Sequence, residues 1–531
     1  MDNTYASFPK EKFEFVGTGT RLHDEKLQTK SRSYLQDAFR RFKKNKSSVI
    51  AAIIIALLVL FAIVAPIISP YSVYHQDVKY AKMPPFVESI AEKNLGIFDG
   101  GSKRLSQNQL QMDNLGYIGM ETGHNPIIKI LGEKTVEEKD RGNLVTKKYY
   151  SVEVNEYYAI GIYTKTLSYE EFDAIQAWQK ENDIQVIYPW VLQEDVYSEM
   201  SASELEKKPL DHVLKDNVWF KCSDFKGTPI LDKNGNPIPA YSTKQSDAGT
   251  YADGTPIVYN SKRIEGDDGS YVYSHGVSGS VKVRLDYYNY YKFRNDGMAP
   301  TYLFGTTEGG GDLFCAIGMG ARFSLIFAVI VAAINLTIGA FYGAVQGYYG
   351  GVIDLTLDRI SDILSGVPFI VVATLFKLHL AQKVGPVVSF LFAFVLTGWI
   401  GMAALTRKQF YRFKNSEYVM AARTLGASDG RLMFKHIFPN AIGTMITSCA
   451  LVIPGVISSE TSLSYLNIIN LTEFTGTSLG KLMAEGQAAM TAAPHAMLYP
   501  ALYMSLLLIS FNLFGNGLRD AFNPSTRGEE G

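Results

Sequence analysis

The chain has few cysteines: only Cys222, Cys315 and Cys449 occur among 531 residues, and no two form a Cys-x-x-Cys pair. An odd number of scattered cysteines favours neither a disulfide framework nor a structural zinc site. The basic residues form no run interleaved with aromatic residues of the kind that nucleic-acid-binding proteins use, so we set that class aside. It contains no Gly-x-x-x-x-Gly-Lys-Ser/Thr phosphate loop, so it cannot cradle ATP in that way. We therefore expect no catalytic residues, no metal site and no cofactor in this chain.

Charge and tyrosine are distributed unevenly, although the net charge is only −1 and the mean hydropathy is +0.01. Residues 71–300 carry 33 Asp and Glu against 26 Lys and Arg, whereas the remainder carries 19 against 25. The same block holds 21 of the 32 tyrosines. A change of composition this sharp usually marks a domain boundary, so we predict at least two domains.

Long apolar segments predict a membrane protein. Residues 49–69 contain no charged side chain, and about 20 apolar residues suffice for a helix to cross the bilayer core. This segment begins after 48 residues and lacks a small-residue cleavage site, so we interpret it as a retained span rather than a signal peptide. The other predicted spans are residues 323–347, 363–380, 385–405, 441–459 and 496–514. The predicted fold class is an all-α polytopic membrane protein with six transmembrane helices, the first at 49–70, and an α+β domain inserted between helices 1 and 2.

Basic residues predict the orientation of the chain in the membrane. A basic cluster immediately precedes the first span, a second occupies residues 407–435 between spans four and five, and Arg519 and Arg527 follow the last span. An even number of crossings separates these clusters, so we place the N-terminal segment 1–48 and the tail 521–531 in the cytoplasm. Residues 78–300 then lie outside the cell. The residues of the first cluster are Arg40, Arg41, Lys43, Lys44 and Lys46.

The segment before the first span predicts an amphipathic helix. Ser33 and Gln36 fit a capping box, and basic residues fill one face of the helix that would follow. We interpret this helix as lying on the cytoplasmic membrane surface; the alternative is a simple solvated basic leader. The apolar face would consist of Tyr34, Leu35, Ala38, Phe39 and Phe42.

Residues 78–300 show the alternation and turn signals of a folded α+β domain. Val152 and Val154 alternate with polar residues as in a half-buried strand, and Val281, Val283 and Leu285 do the same. Ser168 with Glu171 predicts a capping box ahead of Phe172, Ile175 and Trp178 at helical spacing.

This block offers little chemistry. Asp232, Asn234 and Asn236 alternate as in a calcium loop, but Pro237 stands where such a loop needs glycine, so we interpret the stretch as a plain turn. The Asp211-His212 pair has no recognisable nucleophile beside it, and we interpret it as structural.

The most informative stretch is residues 416–440, SEYVMAARTLGASDGRLMFKHIFPN. Its first part has strong helix propensity, and Gly426 permits a left-handed turn. Ser428 and Asp429 can cap a second helix, which Pro439 would end before span five. A compact unit of this kind between two spans can transmit a push as a rigid body.

This stretch resembles the EAA loop of ABC importer membrane subunits, the coupling helix that seats in a groove of the ATPase subunit. Met420 stands where the family has a glutamate, which removes an expected polar contact. The resemblance assigns a coupling role to Glu417, Tyr418, Met420, Ala421, Ala422, Arg423, Leu425, Gly426, Ala427, Ser428, Asp429, His436 and Pro439, with Val419 and Asn440 also matching.

The resemblance extends to the dipeptide/oligopeptide branch of that family, over roughly residues 31–76 and 302–525. Residues 303–312, LFGTTEGGGD, are similar to the branch's LFGTDxxGRD signature, with Thr307 and Gly311 departing from it. Residues 350–368, 397–399, 460 with 462–464, 483–486, and 511–513 with 517–520 also match. Residues 467–470 replace a glycine-rich stretch, and the 78–300 insert is not part of the usual pattern.

The branch implies a type I ABC importer permease fold with a core at 302–520 and a coupling loop at 406–440. This chain is similar to the second, C-type, pore subunit of a bacterial oligopeptide or dipeptide importer in the cell membrane. The implied partners are a second homologous permease subunit in a heterodimer, two ATPase subunits that bind ATP and Mg, an extracellular lipid-anchored peptide-binding protein, the peptide and membrane lipids. Nucleic acid is not among them.

Two further features have functional and structural interpretations. Glu460 is an ionisable residue at the predicted outer end of span five, so Glu460 and the nearby Ser462 are candidates for the pore or its gate. The alternative is a structural carboxylate at the helix end that accepts hydrogen bonds from Ser458 or Ser462. Arg359 and Asp362, three residues apart, predict a local ion pair.

Other functions remain open from the sequence alone. An importer of the same branch could carry nickel chelates, glutathione-like peptides or oligosaccharides. A membrane-tethered sensor or enzyme would need a catalytic constellation in 78–300, and a passive channel would leave the coupling-like loop unexplained.

Overall fold

The computed structural model describes residues 34–93, 95–140, 143–193, 218–219, 241–242, 261–263, 268–466, 468 and 476–522. In these ranges the helices are α1 (Tyr34–Lys44), α2 (Lys46–Ile68), α3 (Glu88–Ala91), α4 (Gln109–Thr122), α5 (Glu156–Ala159), α6 (Tyr169–Asn182), α7 (Tyr287–Arg294), α8 (Leu313–Tyr349), α9 (Gly351–Ser365), α10 (Phe369–His379), α11 (Ala381–Val384), α12 (Pro386–Gly398), α13 (Ile400–Phe413), α14 (Glu417–Thr424), α15 (Asp429–Arg431), α16 (Phe438–Tyr465), α17 (Leu479–Ala488) and α18 (Pro494–Phe522).

The strands are β1 (Phe86–Val87), β2 (Gly101–Asn108), β3 (Ile127–Asp140), β4 (Asn143–Asn155), β5 (Ile162–Leu167), β6 (Ile187–Tyr188), β7 (Val191–Gln193), β8 (Val218–Trp219), β9 (Tyr241–Ser242), β10 (Ser261–Arg263), β11 (Ser274–Val277), β12 (Ser280–Asp286) and β13 (Thr301–Tyr302).

Five helical segments of the described chain are long and apolar enough to cross a membrane: α2, α8, α12 with α13, the continuous helix from α15 to α16, and α18. They contain five of the six predicted spans. The sixth prediction, a span at 363–380, falls on α9 and α10, which meet at a 75° bend, so this segment is a broken helix pair and not one continuous helix. Pro368 disfavours helical backbone at the residue before it, and the 11 residues of α10 reach only about 16 Å.

The broken segment nevertheless carries the chain back across the bundle. Phe327 of α8 stacks on Phe390 of α12 with ring centroids 5.2 Å apart. Twenty residues later on α8, a Cβ on Gly347 would lie 2.6 Å from the Cβ of Phe410 on α13. Residue numbers rise together at both contacts, so α8 and the α12–α13 segment run parallel. The chain from α9 to α11 therefore returns between them, which makes the broken segment the sixth candidate span.

Helix α8 extends well beyond the start of α2. The guanidinium of Arg322 on α8 donates to the carbonyl oxygens of Ala62 and Ile63 on α2 at 3.3 and 2.9 Å, and the two helices are antiparallel. Moving 14 residues from Ala62 to Ser48 corresponds to moving along α8 from Arg322 to Leu336. The remaining 13 residues of α8 therefore project roughly 20 Å past that level.

The first sheet of the insert has the order β2-β4-β3. Val152 and Val154 of β4 are buried against Met112 and Leu115 of α4, which confirms the strand predicted there from alternation. Beyond its pairing with β2, the antiparallel β3–β4 ribbon continues through exposed, charged residues. Lys147 pairs across this ribbon with a glutamate, its Nζ lying 3.2 Å from the carboxylate oxygen.

A second sheet has the order β11-β12-β5, and β6 also pairs with β12. Its buried face confirms the strand predicted around Val283. Helix α6 begins after Ser168, whose Oγ accepts from the backbone N–H of Glu171 at 3.1 Å, as predicted. The reciprocal half of the predicted capping box does not form, because the Glu171 carboxylate instead accepts from the Tyr290 hydroxyl at 2.6 Å and pairs with Lys165 at 3.2 Å.

The insert joins the membrane helices through the ends of α2 and α8. Strands β1 and β13 pair, and Tyr71 stacks on Tyr302 with ring centroids 4.7 Å apart. Asp312 caps α8 and accepts from the Ser69 hydroxyl at 2.6 Å. A Cβ on Gly310 would lie only 1.8 Å from the carbonyl oxygen of Asp77, so this close approach requires glycine. The insert is thus attached at the end of the bundle opposite to residues 414–437.

The predicted amphipathic helix forms as α1, but not with its whole apolar face on the membrane surface. Ala38 and Phe42 are buried, and the Phe42 ring meets the edge of Phe514 on α18 at 5.4 Å. Phe39 remains 60% exposed. Other predictions lie outside the described residues: the cap at Ser33, the Asp211-His212 pair, the turn at 232–236, Cys222 and the end of the tail.

Candidate functional site

The segment from the end of α13 to the start of α16, residues 414–437 and hereafter the loop, is built around a left-handed glycine. Gly426 has φ +83°, and its N–H donates to the carbonyl oxygen of Arg423 at 3.0 Å. The Ala427 N–H donates to the carbonyl oxygen of Ala422 at 3.1 Å. These two bonds form a Schellman motif, which closes the C-terminus of α14 and reverses the chain. The predicted helix and glycine break are confirmed.

The second helix differs from its prediction at both ends. Ser428 occupies the N-cap position without a side-chain capping bond, and the Asp429 carboxylate accepts from the Tyr348 hydroxyl of α8 at 2.5 Å instead. Pro439 does not end the helix, which runs without interruption from Asp429 to Tyr465. A π-helical turn at Leu432–Ile437 precedes the proline. Widening that turn relieves the clash between a proline ring and the carbonyl four residues earlier.

Buried apolar side chains hold the loop on the projecting end of α8. They come from four separate parts of the chain: α8, α13, α14 and the π-helical turn. Fully burying one large aliphatic or aromatic side chain contributes about 1.5–3 kcal/mol, so the cluster holds the loop against its platform as one unit. This loop core consists of Ala344, Phe410, Val419, Leu432, Met433 and Ile437.

The opposite side of the loop presents apolar side chains to the surroundings. Leu425 is 88% exposed, Met420 48% and Tyr418 40%. The Tyr418 hydroxyl accepts from Asn440 Nδ2 at 3.0 Å, and the Arg423 guanidinium lies over the Tyr348 ring at 6.0 Å. Exposed apolar residues within a polar rim are typical of protein–protein contact sites.

The structure separates the residues that the resemblance assigned to coupling into two groups. Ala422, Ala427 and His436 are half-buried, and the two alanines pack on the loop core. The exposed group is Glu417, Tyr418, Met420, Ala421, Arg423, Leu425, Gly426, Ser428, Asp429 and Pro439.

An ion-pair network at the base of the loop was missed by sequence reasoning. Arg407 of α13 pairs with Asp354 at 2.6 Å and with Asp358 at 2.7 Å, both on α9. The Tyr411 hydroxyl donates to the same Asp354 carboxylate at 2.6 Å. The i, i+4 spacing of the two aspartates was a usable signal, but only the tertiary fold identifies Arg407 as their partner. The network ties the broken segment to the helix that enters the loop.

The predicted local ion pair between Arg359 and Asp362 is confirmed, with Nη1 and Oδ2 3.2 Å apart on an exposed face.

Glu460 is fully buried where α16 meets α8. Its Oε2 accepts from the Ser324 hydroxyl of α8 at 2.8 Å, and its Oε1 accepts from Ser464 one turn further along α16 at 3.1 Å. Ser458 and Ser462, the partners considered from sequence, do not bind it: the Ser462 hydroxyl is exposed and donates to the Ser458 carbonyl oxygen at 2.8 Å. A gating role for Glu460 and Ser462 stays a prediction.

The insert contains a buried carboxylate of its own. Asp286 caps α7 by accepting from the Asn289 N–H at 3.0 Å. Burial raises the pKa of Asp286 to about 7, although the backbone hydrogen bonds and Lys292 act in the opposite direction. In the residues that the structure describes, no group of three or more His, Cys, Asp or Glu side chains is arranged to hold a metal ion.

Two family descriptions match the chain. Residues 335–528 match "Binding-protein-dependent transport system inner membrane component", and residues 33–85 match "N-terminal TM domain of oligopeptide transport permease C". The insert lies between the two matched regions.

The chain is also similar to curated transport proteins. It is 38% identical over 224 residues to the oligopeptide transport system permease protein OppC of Bacillus subtilis (strain 168), covering 42% of this chain and 72% of that protein. It is 36% identical over 225 residues to the dipeptide transport system permease protein DppC of the same organism, covering 42% and 69%. Among solved structures, an inward-facing MetNI methionine ABC transporter matches at 14% identity and a TM-score of 0.33, covering 39% of this chain and 96% of that chain.

Proposed function

Since the chain belongs to the family of oligopeptide and dipeptide ABC transport permeases, we propose that it forms one half of the pore of an ATP-driven peptide importer. The observation that carries the proposal is the loop: a compact unit, locked to a projecting helix and exposing apolar side chains at its tip. The chain would not hydrolyse ATP itself; ATP and Mg would bind in the partner subunits.

The loop is the proposed docking surface for an ATPase subunit, within residues 406–440. Leu425, Met420 and Tyr418 would enter the groove of that subunit, and the loop core would transmit its movement to α8, α13 and α16. The projection of α8 by roughly 20 Å supports this role, since it carries the loop clear of the bilayer. Gly426 would be the pivot of the lever that residues 417–440 form.

The proposed topology places both termini and the loop in the cytoplasm and the insert outside the cell. The basic end of α1, the end of α18 and the loop all lie at one end of the bundle, and the insert lies at the other. A lipid-anchored peptide-binding protein would approach from the insert side. A second homologous permease subunit would complete the pore.

The mechanism would be alternating access. ATP-driven closure of the two ATPases would bring the docked loops together, and the spans would rock to open the pore outward. Such coupling requires each state to make different contacts, so its free energy comes from the differential binding of the loop in the two states.

The test has two measurements. The chain is purified from its native membrane in mild detergent, and the proteins that accompany it are identified by mass spectrometry. Peptide uptake is then measured in proteoliposomes. Two ATPases, a second permease and a peptide-binding lipoprotein should co-purify. Leu425→Asp should abolish ATPase recovery and uptake. Leu105→Asp is the matched control, because Leu105 is also strongly exposed but lies on β2 of the insert.

Recovery of the chain alone, or as a homo-oligomer without ATPases, would refute the importer assignment. If nickel chelates, glutathione or oligosaccharides, and not peptides, inhibit uptake by competing for the pore, the importer assignment is retained and the proposed solute is replaced.

A further inference from the structure

Exposed cations cluster at one end of the membrane bundle. Arg40 and Lys43 lie on the exposed side of α1, and Lys46 is the exposed first residue of α2. Arg519 is exposed near the end of α18. Helices α1 and α2, which are adjacent in sequence, and the distant helix α18 thus contribute positive charge to one rim.

The depth of these cations in the membrane is fixed by packing. The side chain of Asn45 caps α2, accepting from the Ser48 N–H at 3.3 Å, so α1 and α2 are joined by a tight turn. A Cβ on Gly517 of α18 would lie 1.9 Å from Ser48 Oγ, so α18 ends at the same level. The 23 residues of α2 span about 35 Å, slightly more than the hydrocarbon core of about 30 Å. Lys46 therefore lies at the depth of the lipid headgroups.

An exposed aromatic ring accompanies the cations. Phe39 is 60% exposed although its neighbours Ala38 and Phe42 are buried against the protein. The Lys43 ammonium lies 4.7 Å from the centre of the Phe39 ring. An aromatic side chain beside cations at headgroup depth fits the boundary between acyl chains and phosphates better than it fits bulk water.

We propose that Arg40, Lys43, Lys46 and Arg519 bind the phosphate headgroups of anionic phospholipids, with Phe39 inserted beside them at the acyl boundary. Clusters of Lys and Arg next to a membrane span attract anionic lipid electrostatically, by an amount that corresponds to roughly fivefold in affinity for each charge. This lipid binding depends on the membrane-spanning fold and not on the transported solute, so it can be confirmed or refuted whether or not the chain imports peptides.

The experiment places the full chain in nanodiscs of phosphatidylcholine alone or of equal parts phosphatidylcholine and phosphatidylglycerol. The wild-type unfolding midpoint should rise with phosphatidylglycerol. In the triple variant Arg40→Gln, Lys43→Gln, Lys46→Gln this rise should be lost, and the apparent affinity for a fluorescent phosphatidylglycerol should fall at least tenfold. Arg519→Gln alone should reduce the affinity by a few-fold.

The matched control removes three exposed lysines from β3 of the insert, Lys129→Gln, Lys134→Gln and Lys139→Gln, for the same change in net charge. This control should retain the full response to phosphatidylglycerol. Equal midpoints for both triple variants in phosphatidylcholine would show that both remain folded. The proposal is overturned if the α1–α2 triple variant responds like wild type, if the β3 variant loses the response equally, or if soluble glycerol phosphate reproduces the stabilisation without anionic lipid.

Discussion

Gly426 is the residue at which the loop can be perturbed most cleanly. Its backbone is left-handed, with φ +83°, and a Cβ placed on it would meet no atom within 4 Å. Any effect of a small side chain there must therefore come from backbone strain and not from a clash. An L-residue other than glycine in this conformation costs about 1–2 kcal/mol, less for Asn than for Ala.

A graded series follows from this geometry. Gly426→Asn should be almost silent. Gly426→Ala should shift the free loop away from its left-handed turn by about 1–2 kcal/mol, which lowers the affinity of the ATPase by up to roughly 5- to 30-fold. Gly426→Pro should abolish uptake while membrane insertion stays intact, because proline requires φ near −65° and removes the N–H that donates to Arg423.

The measurements are peptide uptake in proteoliposomes and the affinity of the ATPase for the purified permease. Gly430→Ala is the matched control, because a Cβ on Gly430 also meets no atom but this residue lies in α15 without a positive φ. It should leave uptake unchanged. Normal uptake by Gly426→Pro, or equal losses for Asn and Ala at position 426, would refute the reasoning.

Three further predictions concern other contacts. Glu460→Ala should destabilise the detergent-solubilised protein by about 1–3 kcal/mol in thermal unfolding, because it leaves the buried Ser324 hydroxyl without its acceptor, whereas Glu460→Gln should lose less. Tyr348→Phe removes the hydrogen bond to Asp429 and should reduce the uptake obtained per ATP hydrolysed without preventing ATPase recovery. Asp286 holds its proton to about pH 7 in the folded insert and only to its ordinary pKa near 3.8 when unfolded, so its contribution to stability falls as the pH rises from about 4 to 7. Asp286→Asn keeps the helix cap, removes this loss, and should raise the resistance of the insert to protease more at pH 8 than at pH 5.

Each of these has an outcome that contradicts it. Wild-type stability of Glu460→Ala would mean that the Ser324 hydroxyl finds another acceptor, and equal destabilisation by Gln and Ala would mean that the amide oxygen cannot replace the carboxylate as that acceptor. Full loss of ATPase binding in Tyr348→Phe would make its hydroxyl part of the docking surface. An Asp286→Asn effect of equal size at both pH values would exclude titration of that carboxyl as the cause.

Several elements could be predicted from sequence because their causes are local. The spans around α2 and α8 follow from runs of apolar residues, whose transfer into a bilayer is nearly additive along the chain. The turn at Gly426 follows from one residue type that tolerates positive φ. The exposed side of the loop was indicated by its resemblance to a family motif.

Other features were decided only by the tertiary structure, because their causes lie far apart in sequence. The 363–380 run looked like one span, yet its break and return are set by Pro368 and by the parallel packing of α8 on α13. One partner of Glu460 is Ser324, 136 residues away, and its local partner is Ser464 and not Ser458 or Ser462. Pro439 looked like a helix end, but the packed π-helical turn before it lets the helix continue. Hydropathy and turn preference are properties of short segments, whereas helix pairing and the satisfaction of buried polar groups depend on which segments the fold brings together.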